Sequence, residues 1–297
     1  MSALFDAIRT KAHVLRSLRA LLHEEGFTEL VTPVARRADL GPGRRVPAGL
    51  HGGRYLRAMI GPALRVNVGT DLPRVYEIGP CFRPELPDAL HAPEFTMLDL
   101  YAAELRFDDL IDLAWRLVGP HLPHYAPERL SVAEHVLDAF GIDLHTEPID
   151  RLHPRMAARI GADAAEPFRD VLGRYIALEL EARTAGRAVF LTDYPAGGDE
   201  PCARLAAGTV AVLERFELIV DGIELVHGYT DETDSAAFTE RAKAVGLYDD
   251  EQQLALDAVT AGSVPADTAG LGIGIERLCA ASAGLRDITP FLQSPQF

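Results

Sequence analysis

Apolar positions recur at helical spacing near the start of the chain. Leu4, Ile8, Ala12, Leu15, Leu18, Leu21 and Leu22 predict an amphipathic helix over residues 4–25. Gly26 stops that helix, and residues 27–33 read as a short strand closed by Pro33. Residues 35–54, rich in Gly, Pro and Arg, read as a loop; its Arg36-Arg37 and Arg44-Arg45 pairs read as solvated. A strand–helix passage follows over 55–68. A helix over 108–118 presents Leu110, Ile111, Ala114 and Leu117 on one side. Residues 121–186 read as a mostly helical insertion, with helices over 131–140 and 166–183.

Period-two patterning marks the remaining elements. Residues 74–82 and 94–101 are strand-like on either side of a proline-containing loop, giving an antiparallel hairpin. Alternation places Phe95, Met97, Asp99 and Tyr101 on one face and Thr96, Leu98 and Leu100 on the other. One face is core-like; the other lays a ring, a carboxylate and a phenol in a row. A second hairpin turns at Asp221-Gly222, which favours a two-residue turn. In that register Val220 opposes Ile223, Ile219 opposes Glu224 and Glu217 opposes Val226, so Glu217 and Glu224 share a face. Two carboxylates so placed repel unless a cation lies between them, and magnesium is an apt one. In Gly270-Leu271-Gly272-Ile273-Gly274-Ile275 the glycines leave one face of a strand bare, against which a flat ligand fits.

Composition narrows the class. The 297 residues are 48% hydrophobic, enough for a sizeable core in a single domain over 1–297. The net charge of −15 argues against a broad nucleic-acid-binding surface. Cys81, Cys202 and Cys279 are odd in number and widely spaced, which suggests a reducing cytoplasm and neither a zinc site nor a disulfide framework. No signal peptide or membrane span is evident, so no membrane partner is expected. His121, His124, His135, His145 and His153 lack metal-ligand spacing and read as surface or structural.

Three stretches, in order, resemble the motifs of the class II aminoacyl-tRNA synthetases. The helix and strand ending at Pro33 are similar to motif 1, which in that family forms a dimer interface. Arg83-Pro84-Glu85 followed by His91-Ala92-Pro93-Glu94-Phe95-Thr96-Met97-Leu98-Asp99-Leu100-Tyr101 looks like motif 2 of the lysyl branch. Gly270-Leu271-Gly272-Ile273-Gly274-Ile275-Glu276-Arg277 looks like motif 3, GxGxGxER. The resemblance implies an α+β fold, a six- or seven-stranded antiparallel sheet flanked by helices, and a homodimer. It implies ATP and Mg2+, and attack of an amino-acid carboxylate on the α-phosphate of ATP. Arg83 and Arg277 would be catalytic, Arg83 on the α-phosphate and carboxylate. Glu85 would read the adenine amine, Phe95 and Arg277 would sandwich its ring, His91 would approach the triphosphate, and Gly274 would lie beside the nucleotide. Glu217 and Glu224 would hold the metal. Tyr101, His227, Tyr229 and Gly272 would surround the amino acid.

The layout departs from the tRNA-charging branch. Motif 1 begins within the first residues, so no OB-fold anticodon domain is expected. In this the chain is similar to the stand-alone lysyl-synthetase paralogues that attach β-lysine to elongation factor P. The expected acceptor is therefore a protein lysine or a small-molecule amine, with tRNA unlikely. A non-catalytic ATP- or amino-acid-binding paralogue and a synthetase reading only the acceptor stem are the alternatives. Where the family has glutamates that hold the substrate's ammonium, this chain has Asp99 and Asp231; a neighbouring Asn is His227, and a glutamate near the α-amino group aligns onto Gly61. Two acids still suggest a cationic substrate end. Their shortening suggests a basic amino acid, lysine-like or β-, that is larger or differently aminated than L-lysine.

Overall fold

The computed structural model describes residues 3–36, 49–50, 53–69, 71–84, 86–246 and 250–293. Glu85, the two arginine pairs of the first loop beyond Arg36, and the C-terminal tail lie outside the described residues.

The chain opens with α1 (Ala3–Glu24) and β1 (Thr28–Glu29). A small sheet of β2 (Ala35–Arg36), β3 (Gly49–Leu50) and β4 (Arg54–Leu56) follows, then the short α2 (Gly61–Arg65). The motif 2 hairpin is β5 (Arg74–Phe82) and β6 (Glu94–Ala102), succeeded by α3 (Phe107–Val118). The insertion carries β7 (Pro127–Ser131), α4 (Val132–Phe140), α5 (Leu152–Ile160) and α6 (Phe168–Tyr175). Then come β8 (Ala188–Pro195), the hairpin β9 (Val212–Val220) and β10 (Ile223–Thr230), α7 (Ser235–Ala244) and α8 (Asp250–Thr260). β11 (Ala269–Gly274) runs directly into α9 (Ile275–Ser282).

Eight strands form the main sheet in the order β1-β5-β6-β11-β10-β9-β8-β7. The six central strands pair antiparallel, as the resemblance implies, while both edges are parallel: β1 on β5 and β7 on β8. The insertion is therefore not only helical; Pro127–Ser131 extends the sheet, and Ser131 then accepts a hydrogen bond from the Glu134 amide as the cap of α4. The predicted helix over 166–183 is also interrupted, giving way after Tyr175 to a π turn and a 3-10 turn.

Alternation decides which face of the sheet does what. Leu98 and Leu100 of β6 pack with Leu18 and Leu22 of α1, Leu110 and Leu117 of α3 and Leu278 of α9 in the main core. On the opposite face the insertion builds its own cluster over Val189, Leu191 and Ile219, contributed by Val136, Met156, Leu172 and Tyr175. On that side of β6, Met97 and Tyr101 pack with Ile60 and Leu64 at α2, and Asp99 accepts from the amides at its start.

Candidate active site

Two cross-strand rows make the floor. In one, Glu77, Asp99, Gly272, His227 and Glu217 are successive register partners on β5, β6, β11, β10 and β9. In the other, Tyr101, Gly270, Tyr229 and Arg215 are partners. Both glycines fall between large side chains. A Cβ on Gly270 would lie 2.5 Å from Tyr101 Cε1, and one on Gly272 would lie 2.6 Å from Asp99 Oδ1. The bare face expected to receive a flat ligand is thus covered at these two positions by the chain's own tyrosine, aspartate and histidine. At Gly274 the nearest atom to a Cβ would be Arg277 Cδ at 3.7 Å, so openness survives there.

The β9–β10 turn forms as expected, with positive φ at Asp221 (50°) and Gly222 (77°), as a type I′ turn requires. The register beyond it differs from the expectation. A bulge between Glu224 and Val226 moves the ladder by one residue, so Glu217 opposes His227 rather than Val226. His227 Nδ1 consequently lies 3.6 Å from Glu224 Oε1. Burial disfavours a charge on His227, but Glu224, Glu200 and Asp99 outweigh it and push the imidazole up to about 9. Burial likewise opposes the Glu224 charge, while His227 and Arg277 hold its carboxyl below the usual range.

Glu217 is held from below. Tyr194 Oη donates to its Oε2 and Arg215 Nη2 to its Oε1, both at 2.6 Å. Arg215 also pairs with Asp199 at 3.1 Å and lies 4.3 Å from the Tyr194 ring centre. Burial, with the Glu224 charge adding to it and Arg215 only partly offsetting it, pushes Glu217 up to about 7. Both glutamates line one cavity of about 560 Å³ together with Arg215, Asp199 and Tyr194. A hard divalent cation offsets the burial of the Glu217 charge and relieves its repulsion with Glu224, so the pair fits a magnesium ion. Among the described residues, no group of three or more His, Cys, Asp or Glu is arranged to hold a metal ion by itself. Such an ion would therefore take most of its oxygens from phosphate and water, as magnesium does in nucleotide sites.

The residues assigned to the nucleotide come together. A cavity of about 220 Å³ is lined by Arg83, His91, Phe95, Glu224, Gly274 and Arg277, among others. Arg277 Nη2 is 3.0 Å from His91 Nε2, and its Nη1 reaches Glu224 Oε2 at 3.4 Å. Arg83 lies over the Phe95 ring, 5.1 Å from its centre. Glu276, beside Arg277 in the motif, is not in contact chemistry of this kind: it accepts from Lys11 Nζ at 2.6 Å and from the Thr96 amide at 2.9 Å, locking α9 to α1 and β6.

Of the residues expected around the amino acid, Asp99, Tyr101, His227 and Tyr229 line a third cavity of about 340 Å³ together with Gly61, Arg65 and Arg83, whereas Asp231 and Gly272 are not in its lining. Asp99 accepts from the Ile60 and Gly61 amides at 3.1 and 2.9 Å. Asp231 is gripped by Arg65, whose Nε donates to both carboxylate oxygens (3.0 and 3.1 Å) and whose Nη2 donates to Oδ1 at 2.7 Å. The same Nη2 donates to Tyr101 Oη at 3.1 Å and Tyr229 Oη at 2.9 Å, and the two hydroxyls are 2.7 Å apart. Burial pushes the Asp231 carboxyl upward, and Arg65 pulls it back; the bidentate geometry is that of an ion pair. Neither Arg65 nor Arg215 figured among the residues expected from sequence. Arg215 was within reach, two residues before Glu217 on one strand face. For Arg65 the signal was a single arginine between Leu64 and Val66.

The chain belongs to the class II tRNA synthetases (D, K and N), whose family model matches residues 2–296. Its relatives include the lysine–tRNA ligase of Roseiflexus sp. (strain RS-1), 29% identical over 92% of this chain and 61% of that protein. The lysine–tRNA ligase of Mycoplasma pneumoniae is 27% identical over 95% of this chain and 64% of that protein. Lysine–tRNA ligase 2 of Methanosarcina acetivorans is 28% identical over 96% and 61% respectively. The chain therefore spans somewhat under two thirds of the length of these relatives.

Proposed function

We propose that the chain is an ATP-dependent, AMP-forming ligase: it activates an amino-acid carboxylate as an acyl adenylate and passes the acyl group to an amine of a protein or small molecule rather than to tRNA. The observation that carries the adenylation step is the way three cavities share walls; the acceptor reading rests on the net charge of −15. Arg83 and His227 line both the nucleotide cavity and the amino-acid cavity, and Glu224 lines both the nucleotide cavity and the acidic one. A carboxylate in one cavity and an α-phosphate in the next meet at Arg83.

The chemistry is a displacement. A carboxylate oxygen bonds to the α-phosphorus while the bond to the bridging oxygen of the β-phosphate breaks, and pyrophosphate leaves with the electron pair. Arg83 neutralises the two anions that must approach each other, and orients them for attack. His227, charged at neutral pH, adds positive potential at the same junction. Arg277 and His91 supply donors along the phosphate chain. Magnesium held by Glu217 and Glu224, when bound, withdraws charge from the phosphates. No covalent enzyme intermediate is required.

ATP–pyrophosphate exchange tests the reading. Exchange is expected to depend on magnesium, and Glu224→Gln, which removes charge at nearly constant volume, is expected to lower it by at least a hundredfold with the circular dichroism spectrum unchanged. Full exchange in that variant would reject the metal assignment, and no exchange with any acid would reject the ligase.

A further inference from the structure

The floor of the amino-acid cavity already contains a cation. Asp231 is where the lysyl resemblance places a carboxylate for the substrate's terminal ammonium, with Tyr101 beside it. Here the Arg65 guanidinium takes that place: it donates three hydrogen bonds to Asp231 and one each to Tyr101 and Tyr229. Arg65 comes from α2 and lines the cavity, while Asp231, just beyond the end of β10, holds it from behind the lining. Its side chain is 3% exposed and that of Asp231 1%, and the guanidinium stacks 5.2 and 5.8 Å from the centres of the Tyr101 and Tyr229 rings. The second acid, Asp99, is engaged by two backbone amides and flanks Gly272 on the sheet opposite His227.

We propose that Arg65 is a resident counter-ion that determines specificity, and that the acid this chain activates carries an uncharged side chain. The inference rests on the adenylation reading above and narrows its substrate. Three physical points support it. A substrate ammonium would have to displace a buried bidentate guanidinium, or sit beside it in a site of low dielectric where like charges repel strongly. An anionic side chain fares no better, because Asp199 and Glu200 also line the cavity. An uncharged chain, by contrast, meets Met59, Met97, Leu271, Tyr101 and Tyr229 in the lining. Shortening the two acids to aspartate then has a plain role: the shorter Asp231 leaves room for the guanidinium.

Matched acids test this. L-Norleucine ends where the ammonium of L-lysine begins, and L-norvaline and L-2-aminobutyrate relate in the same way to L-ornithine and L-2,4-diaminobutyrate. Calorimetric titration of each pair into the full chain reads the cavity whether or not adenylation occurs, and pyrophosphate exchange reads adenylation separately. At least one uncharged acid is expected to bind, and to bind at least tenfold more tightly than its cationic partner. Tighter binding of the cationic member, or binding of none of the uncharged acids, overturns the proposal. Binding of uncharged acids without exchange leaves the cavity assignment standing and removes the ligase reading instead. Arg65→Ala frees Asp231 and is expected to swing the lysine-to-norleucine affinity ratio toward lysine by at least tenfold; a folded variant with an unchanged ratio also overturns the proposal. If Arg65→Ala does not fold because Asp231 is left stranded, the matched pairs on the unaltered chain decide.

Discussion

Glu217 shows how much a single side chain's surroundings alter its chemistry. In water its carboxyl would be ionised throughout the neutral range; buried beside Glu224 it is pushed up to about 7. Below that pH the proton stays on and the charge that attracts a cation is missing; above it the charge is present. The apparent kcat/KM for Mg-ATP in pyrophosphate exchange is therefore expected to climb by about tenfold per pH unit below 7 and to level off above it, since this parameter reports the free enzyme. A profile flat between pH 6 and 8 would show that Glu217 titrates elsewhere. The carboxylate and its partner were visible as an Asp-Gly hairpin with two glutamates. The raised titration was not, because it depends on burial under the insertion and on Arg215 and Tyr194 being too few donors to offset both.

At the level of elements, the joint between α1 and α9 adds one buried ion pair to the apolar packing of Leu18 and Leu22 with Leu278. Lys11 and Glu276 are both buried, and Lys11 also donates to the Phe291 carbonyl at 3.1 Å. Since α9 carries Arg277 at its first turn, the pair sets where that arginine stands. Lys11→Met would leave the Glu276 carboxylate buried with one amide donor, at a cost of about 3 kcal/mol. Urea denaturation at neutral pH measures it; a loss below about 1 kcal/mol would mean that Glu276 takes up a proton or finds water. The periodicity of α1 was legible, and Lys11 lay within that helix, but nothing near it in sequence announced a partner 265 residues away. The bulge in β10 was equally hidden. An ideal hairpin drawn outward from Asp221-Gly222 puts Val226 opposite Glu217, and only the packing of the full sheet shows the inserted residue.

For the whole molecule, surface and charge set the expectations. Val31 is 94% exposed and Phe5 55%, on the short edge strand's exit and on α1, where the family resemblance places a dimer contact. The chain is expected to sediment as a dimer, and Phe5→Glu with Val31→Asp to shift it to monomer; a monomeric parent would refute this use of the two side chains. A net charge of −15 supplies no broad positive field for a polyanion. Bulk tRNA is accordingly expected neither to be aminoacylated nor to compete with an amine acceptor at 150 mM salt, a concentration on the order of physiological; salt-sensitive charging of tRNA would refute the acceptor assignment.

What the sequence determined by itself is what depends on short-range order. Alternation on β6 separated Leu98 and Leu100 from Phe95, Met97, Asp99 and Tyr101, and the structure keeps that division. Glycines at every second position of β11, a two-residue turn and an amphipathic first helix are of the same kind, since each follows from backbone geometry over a few residues. What only the tertiary structure decided is which charges meet. Arg65 reaches Asp231 across 166 positions, and Gly270 and Gly272 serve as clearances for Tyr101 and Asp99 rather than as a bare platform. Pairing between distant segments is fixed by how layers pack, and electrostatics within a buried cavity follows that packing; a local pattern of residue types carries neither.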